Sequence, residues 1–340
     1  MTVPETCRIA VLDDYQGVAL TSADWSPLPP GCTVDVAREH LVGEDLVAFL
    51  ADARAVVVMR ERTPVDAALL DRLPALELVV TTGMRNAAID LGAAAERGVT
   101  VCGTRGLAGP ATELTWALIL ACLRRIPEEV AAMRDGAWQT TVGQELEGRT
   151  LGLLGLGHIG QRMARVAHAF DMRVTAWSPN LTPERATAAG AELVGKRALF
   201  ATADVVSVHL KLGDRSRGLV GVDELRAMRP DAWLVNTSRG PIVEEAALLT
   251  AVREGWIAGA ALDVYGQEPL ARSGHPLSPL YAMDNVILWP HLTFYTAEAM
   301  QRLEEETLER CFEILEGRPV LVKSHDPRLR AQRAGVRFTG

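Results

Sequence analysis

Leu151-Gly152-Leu153-Leu154-Gly155-Leu156-Gly157-His158-Ile159-Gly160 reads as a buried strand that enters a glycine turn and leaves it as a helix. The helix shows in the spacing of Ile159, Met163, Val166, Ala167 and Phe170, which fall on one face of a 3.6-residue period. The glycines divide the work. Gly155 permits the tight turn, Gly157 lets a pyrophosphate approach the backbone, and Gly160 lets helix and strand pack closely. The first helical amides, at His158 and Ile159, then stand at the positive end of a helix dipole, which favours an anion. Strand before and helix after make this a dinucleotide-binding turn.

The strand that follows, Val174-Thr175-Ala176-Trp177, ends without the carboxylate expected there. Ser178 stands eighteen residues after Gly160, where an acid would accept from a ribose 2′-OH and repel a 2′-phosphate. Ser178 and Asn180 can instead donate to a phosphate, and Arg185 is near in sequence. The reading leans to NADP over NAD; the other reading of these residues is a plain turn with slack selectivity.

Similar apolar runs recur on both sides. Upstream are residues 9–12, 34–36, 55–59, 78–81 and 99–101; downstream are 205–208, 233–235, 259–262 and 286–288. Runs that are apolar throughout suit strands covered on both faces, hence parallel sheets with crossover helices. Two such series predict two doubly wound α/β domains: a flavodoxin-like one from residues 1–108 with 293–340, and a Rossmann cofactor domain from 109–292. Gly109-Pro110 opens a helix predicted to run to about Ile126 and to bridge them, and a further helix is predicted over 296–315.

Bulk properties narrow the partners. The chain has 340 residues, 48% apolar and 23% charged, with a net charge of -8. That balance disfavours phosphate backbones and anionic lipid surfaces. The five basic residues between Lys323 and Gly340 read as a tail rather than a nucleic-acid arm. The longest apolar stretch, Trp116–Leu123, is far shorter than the roughly twenty residues a membrane span needs. Cys7, Cys32, Cys102, Cys122 and Cys311 are odd in number and scattered, which fits a reducing compartment, here the cytoplasm. No metal site is expected from their spacing.

Three segments place ionisable residues at strand ends, where open α/β sheets receive ligands. They are Val235-Asn236-Thr237-Ser238-Arg239-Gly240, Leu262-Asp263-Val264-Tyr265-Gly266-Gln267-Glu268-Pro269, and Leu288-Trp289-Pro290-His291-Leu292-Thr293. With the glycine turn, and in this order, they resemble the signature segments of the D-isomer-specific 2-hydroxyacid dehydrogenases over roughly residues 50–320.

The resemblance implies a nicotinamide-dependent exchange of a 2-oxo acid for a D-2-hydroxy acid by a homodimer, with the Trp116 helix region as its contact. Hydride delivery to a ketone creates an alkoxide that needs a proton, and a histidine is the natural donor; His291 is the candidate. Glu268 matches the family's glutamate, which stabilises and orients the imidazolium. Arg239 matches the arginine that grips the carbonyl and carboxylate. By the same resemblance, Thr237 and Ser238 line the nicotinamide side and His209-Leu210 covers the adenosine side. Asp263 is implied to contact the carboxamide or ribose of the nicotinamide.

Two places depart from the family's usual pattern. Its loop for the substrate carboxylate is rich in Gly and Val, whereas here the matching stretch is Thr82-Gly83-Met84-Arg85-Asn86-Ala87-Ala88-Ile89-Asp90. Gly83, Met84 and Arg85 are the substrate-binding candidates. Arg85, with Arg60 at a strand end, implies a substrate with a second polar or anionic group, unless Arg85 pairs with Asp90. Phe294 and Tyr295 stand where small residues are common, and either shape a pocket or pack an interface. A nucleotide-sensing scaffold like the C-terminal-binding corepressors, which share the fold and triad, is the competing reading; an NAD-retaining hydrolase is a weaker third.

Overall fold

The computed structural model describes residues 7–84, 86–315, 321–322 and 337–338. The chain divides into two compact units, Met1–Leu107 with Tyr295–Gly340, and Ala108–Phe294. Each is built on one parallel sheet, as the apolar runs require.

In the first unit the strands are β1 (Cys7–Val11), β2 (Cys32–Val36), β3 (Ala55–Val58), β4 (Leu78–Thr81) and β5 (Thr100–Gly103), in the order β2-β1-β3-β4-β5. β3 and β4 are buried at every position, so Val56, Val57, Val79 and Val80 feed the core on both faces. The helix Ala297–Leu315 belongs to this unit and buries Leu308 and Cys311 against that core.

In the second unit β6 (Thr150–Leu154), β7 (Arg173–Trp177), β8 (Glu192–Leu193), β9 (Val205–Val208), β10 (Trp233–Asn236), β11 (Gly259–Leu262) and β12 (Val286–Leu288) line up as β12-β11-β10-β9-β6-β7-β8. The turn after β6 therefore lies near the middle of the sheet, flanked by β9 and β7. At the opposite edge of the sheet, the carboxylate of Asp204 accepts from the Thr150 amide at 2.7 Å and pairs with Arg149 at 3.2 Å, which fixes where β6 begins.

Three elements differ from the sequence reading. The helix opened by Gly109-Pro110 ends at Leu123 rather than Ile126 and lies wholly in the second unit. Arg125 takes a left-handed conformation (φ 53°) there, and a second helix, Ile126–Arg134, restarts with Pro127 in its first turn. The two-residue β8 was too short to show as an apolar run. Of the basic C-terminal stretch, Arg337–Phe338 pair in parallel with Leu321–Val322, and the remainder lies outside the described residues.

One buried acid bears on stability. Glu304, on the helix Ala297–Leu315, is 1% exposed, and its Oε2 has no hydrogen-bond partner among the described residues. Burial, reinforced by the Asp14 carboxylate, pushes its pKa up to about 8. A group whose folded pKa is raised contributes stability that is complete below its unfolded pKa and lost as pH climbs through the folded one. Glu304→Gln should therefore flatten the fall of the melting temperature between about pH 5 and pH 8. Melts of both proteins across that range check it; parallel curves would remove Glu304 from the account.

Candidate active site

Gly155 sits at φ 110°, and a Cβ there would lie 2.6 Å from the His209 carbonyl oxygen, so only glycine fits. A Cβ at Gly160 would lie 2.3 Å from the Gly155 carbonyl oxygen, which shows how closely helix and turn pack. At Gly157, by contrast, a Cβ would meet nothing within 4 Å. The helix His158–Ala169 starts there with no side-chain cap, so its first amides, including those of His158 and Ile159, are presented without a competing side chain. This cradle suits a pyrophosphate, and the residues present fit a dinucleotide.

The flanks of the turn are partly arranged for that guest. On the β9 side, His209 Nε2 lies 2.8 Å from the Ser207 hydroxyl, and burial pushes its pKa down to about 4, so the ring is neutral at physiological pH. On the β7 side, Ser178 opens a turn closed by the Leu181 amide on its carbonyl at 3.2 Å. Arg185 NH1 donates to the Asn180 carbonyl at 3.3 Å, which holds a cation at that turn.

The 237–239 turn after β10 is organised by a residue the sequence reading passed over. Asn236 is buried; its amide nitrogen donates to the Arg239 carbonyl at 3.0 Å, and its oxygen accepts from the Ser238 amide at 3.1 Å. Ser238 in turn donates from its hydroxyl to the Leu210 carbonyl, joining the β9 and β10 ends. Thr237 Oγ1 lies 2.8 Å from Thr115 Oγ1, on the helix Gly109–Leu123. Arg239 is half-buried, with NH1 donating to the Ser238 carbonyl at 2.8 Å.

His291 and Glu268 meet. Nδ1 of His291 is 2.6 Å from Oε2 of Glu268, and their side chains are 9% and 15% exposed. The other Glu268 oxygen accepts from the Tyr265 amide at 3.0 Å, and Tyr265 donates its hydroxyl to the Trp289 carbonyl at 2.9 Å. Tyr265 thus ties the β11 end to the segment carrying His291, and burial raises its phenol so that it stays protonated. Phe294 meets the His291 ring edge-on, centroids 5.8 Å apart. That aromatic therefore packs on the candidate imidazole.

Asp263 also has a structural task. It is 0% exposed, and its two oxygens accept from the amides of Leu292 at 2.8 Å and Thr293 at 3.0 Å. These contacts brace the His291 turn. Arg239, Glu268 and His291 therefore come from the carboxyl ends of β10, β11 and β12, three successive strands.

The substrate-loop candidates lie in the first unit. Gly83, at φ 110°, donates its amide to Thr104 Oγ1 at 3.0 Å, and the Arg60 guanidinium lies across it. Met84 is 37% exposed. Arg85 lies outside the described residues, and Asp90, its suggested partner, caps the helix Leu91–Glu96 through the Ala93 amide at 2.9 Å.

Residues 116–293 match the family model described as D-isomer specific 2-hydroxyacid dehydrogenase, NAD binding domain. The chain belongs to this dehydrogenase family. It is 40% identical over 264 residues to a glyoxylate reductase of Aeropyrum pernix, covering 75% of this chain and 78% of the relative. It is 36% identical to a glyoxylate reductase of Thermococcus litoralis, covering 89% and 88%. A solved phosphoglycerate oxidoreductase of Vibrio cholerae superposes with a TM-score of 0.86 at 36% identity, covering 92% of this chain and all of that one. In this member of the D-isomer specific 2-hydroxyacid dehydrogenases, the matched span holds the glycine turn together with Arg239, Glu268 and His291.

The Asp263 brace is testable. Asp263→Asn turns one acceptor into a donor facing a backbone N–H, and an unpaired buried donor costs about 1–3 kcal/mol. Denaturant unfolding should show a loss of that size, with a fall in turnover; unchanged stability would show that the two amides do not depend on the carboxylate.

Proposed function

We propose that this dehydrogenase reduces a small 2-oxo acid to its D-2-hydroxy acid, and runs the reverse oxidation, with Arg239, Glu268 and His291 as the working side chains. The 2.6 Å contact between His291 Nδ1 and Glu268 carries the reading. It commits Nδ1 to the carboxylate and leaves proton exchange with the substrate oxygen to Nε2. Glu268 orients the ring and stabilises the imidazolium that gives up the proton. Arg239 supplies the planar fork that grips carbonyl and carboxylate together. The turn after β6 would hold the dinucleotide, whose nicotinamide would supply or accept the hydride when bound. The relatives bear enzyme names, including glyoxylate and hydroxypyruvate reductase, and do not favour the corepressor-like scaffold.

Several finer assignments belong to the same proposal. Residues 109–292 hold the dinucleotide through Gly155, Gly157, His158, Ile159, Gly160, Ser178, His209, Leu210, Thr237, Ser238 and Asp263, while residues 1–108 with 293–340 bring Gly83, Met84 and Arg85 to the substrate. Ser178, Asn180 and Arg185 favour NADP, because they offer donors and a cation where NAD-selective chains carry an acid. Ile126, Val130 and Met133, at 47%, 43% and 52% exposure, give one helix an uncovered apolar face that supports a homodimer. Five free thiols support a cytoplasmic setting, and among the described residues no helix is long and apolar enough to cross a membrane.

His291→Ala should lower the reduction rate by roughly 10²–10⁴-fold, read at the reduced-nicotinamide absorbance with glyoxylate and hydroxypyruvate; a near-normal rate sinks the assignment. Ser178→Asp should move the preference from NADPH towards NADH. Specificity constants for both cofactors in both proteins decide it, and an unmoved ratio would return the turn to a passive role.

A further inference from the structure

Two thiols meet at the amino edge of the first sheet, the edge opposite the Gly83 loop. Cys7 begins β1 and Cys32 begins β2, and the parallel pairing of these strands sets the two residues directly opposite each other. Their thiols share a hydrogen bond, so both leave the sheet on one face. Neither is in a disulfide. Adjacent strands run about 4.8 Å apart, inside the roughly 4.4–6.8 Å between α-carbons that a disulfide spans. The backbone therefore already holds the pair at bonding range.

The two sulfurs are unequal. Cys7 is 2% exposed, and burial, reinforced by the neighbouring Cys32, pushes its thiol up to about 12. Cys7 thus stays protonated, while Cys32 is half-buried and is the sulfur that solvent reaches. A cation stands beside them. Arg54, at the amino end of β3, opposes the rise at Cys7; its Nη2 meets Glu77 at 2.8 Å, and its Nη1 is buried with no hydrogen-bond partner among the described residues. A neighbouring guanidinium favours the thiolate, the form that attacks an oxidant. A third thiol, Cys311 on the helix Ala297–Leu315, is 1% exposed; burial, with Cys7 next in weight, raises it. It is closed off from solvent and cannot be the first sulfur oxidised.

We propose that Cys7 and Cys32 are a redox-active pair that a hydroperoxide converts to a disulfide, tying the edge strand β2 to β1. The Cys32 sulfur takes one oxygen from the peroxide, its S–H becomes S–OH, and water leaves. The Cys7 sulfur then attacks the Cys32 sulfur. The S–S bond forms, the S–OH bond breaks, and the hydroxyl departs with the Cys7 proton as a second water. Both thiols are oxidised, and the peroxide is reduced to water. An exposed sulfur beside a buried resolving partner is the arrangement that stops at a disulfide rather than running on to irreversible acids. Transient links of this kind are the ones a reducing compartment tolerates, and an external dithiol reverses them.

The folded protein treated with hydrogen peroxide, blocked with N-ethylmaleimide and digested should yield a peptide joining Cys7 to Cys32, lighter than the reduced pair by two hydrogen atoms. Dithiothreitol should abolish it. Cys7→Ala should stop one step earlier, as a Cys32 sulfenic acid that dimedone captures, and Cys32→Ser should leave Cys7 untagged. Should Cys7→Ala fail to fold, dimedone present while the wild type is oxidised should tag Cys32 and suppress the link. A wild type that forms no Cys7–Cys32 link, that joins Cys7 to Cys311 instead, or that carries the dimedone tag on Cys7 overturns the proposal.

Discussion

The candidate site depends on one buried carboxylate holding one turn. His291 has a left-handed backbone (φ 52°), which costs a residue with a Cβ about 1–3 kcal/mol unless its surroundings impose it. Asp263 imposes it, because its oxygens take the two amides that follow, Leu292 and Thr293. With those amides anchored, the imidazole is aimed at Glu268. Without them, the amides would be buried donors lacking acceptors, and the ring would lose its fixed approach to the carboxylate. A residue outside the candidate triad thus decides whether the imidazole is in place.

The same logic extends along the sheet. Asn236 grips both sides of the Arg239 turn from the end of β10, and Tyr265 ties the Glu268 segment to the carbonyl of Trp289. Each candidate side chain sits on irregular backbone just past a parallel strand, and each is steadied by a polar side chain at or near the end of a strand. Parallel strands bring their carboxyl ends to one edge, so neighbouring strand ends supply these braces to one another across 23 to 30 residues of sequence. Such turns can then be strained locally while the rigid sheet bears the cost.

That separation explains what was legible in the sequence. The parallel sheets showed because strands covered on both faces must be apolar at every position, as Val205–Val208 and Ala55–Val58 are. The glycine turn showed because its demands fall on backbone atoms, and only glycine meets them at residues 155 and 160. Arg239, Glu268 and His291 stood out through their motif order. The braces did not, because nothing local distinguishes an Asp that accepts from amides 29 and 30 residues ahead from one that faces a cofactor. The helix break after Leu123 was signalled by Pro127, but the left-handed Arg125 that makes the break has no compositional mark. Phe294 was visible only as an unusual bulky residue, and its edge-on contact with His291 needed coordinates.

The strained residues also separate structural turns from functional ones. Arg125 and Asp171 take left-handed backbones just past helix ends, where such a conformation closes the last turn and calls for no further cause. Asp13, Arg60 and His291 take the same conformation past the ends of β1, β3 and β12, where no helix needs closing. All three are ionisable, and all three stand on a carboxyl edge of a parallel sheet. A backbone cost that recurs at strand ends, always under a side chain able to carry charge, is what an edge organised around charged ligands requires. On that ground the two sheets share one design, in which backbone cost is concentrated at carboxyl strand ends and borne by the rigid sheet behind them.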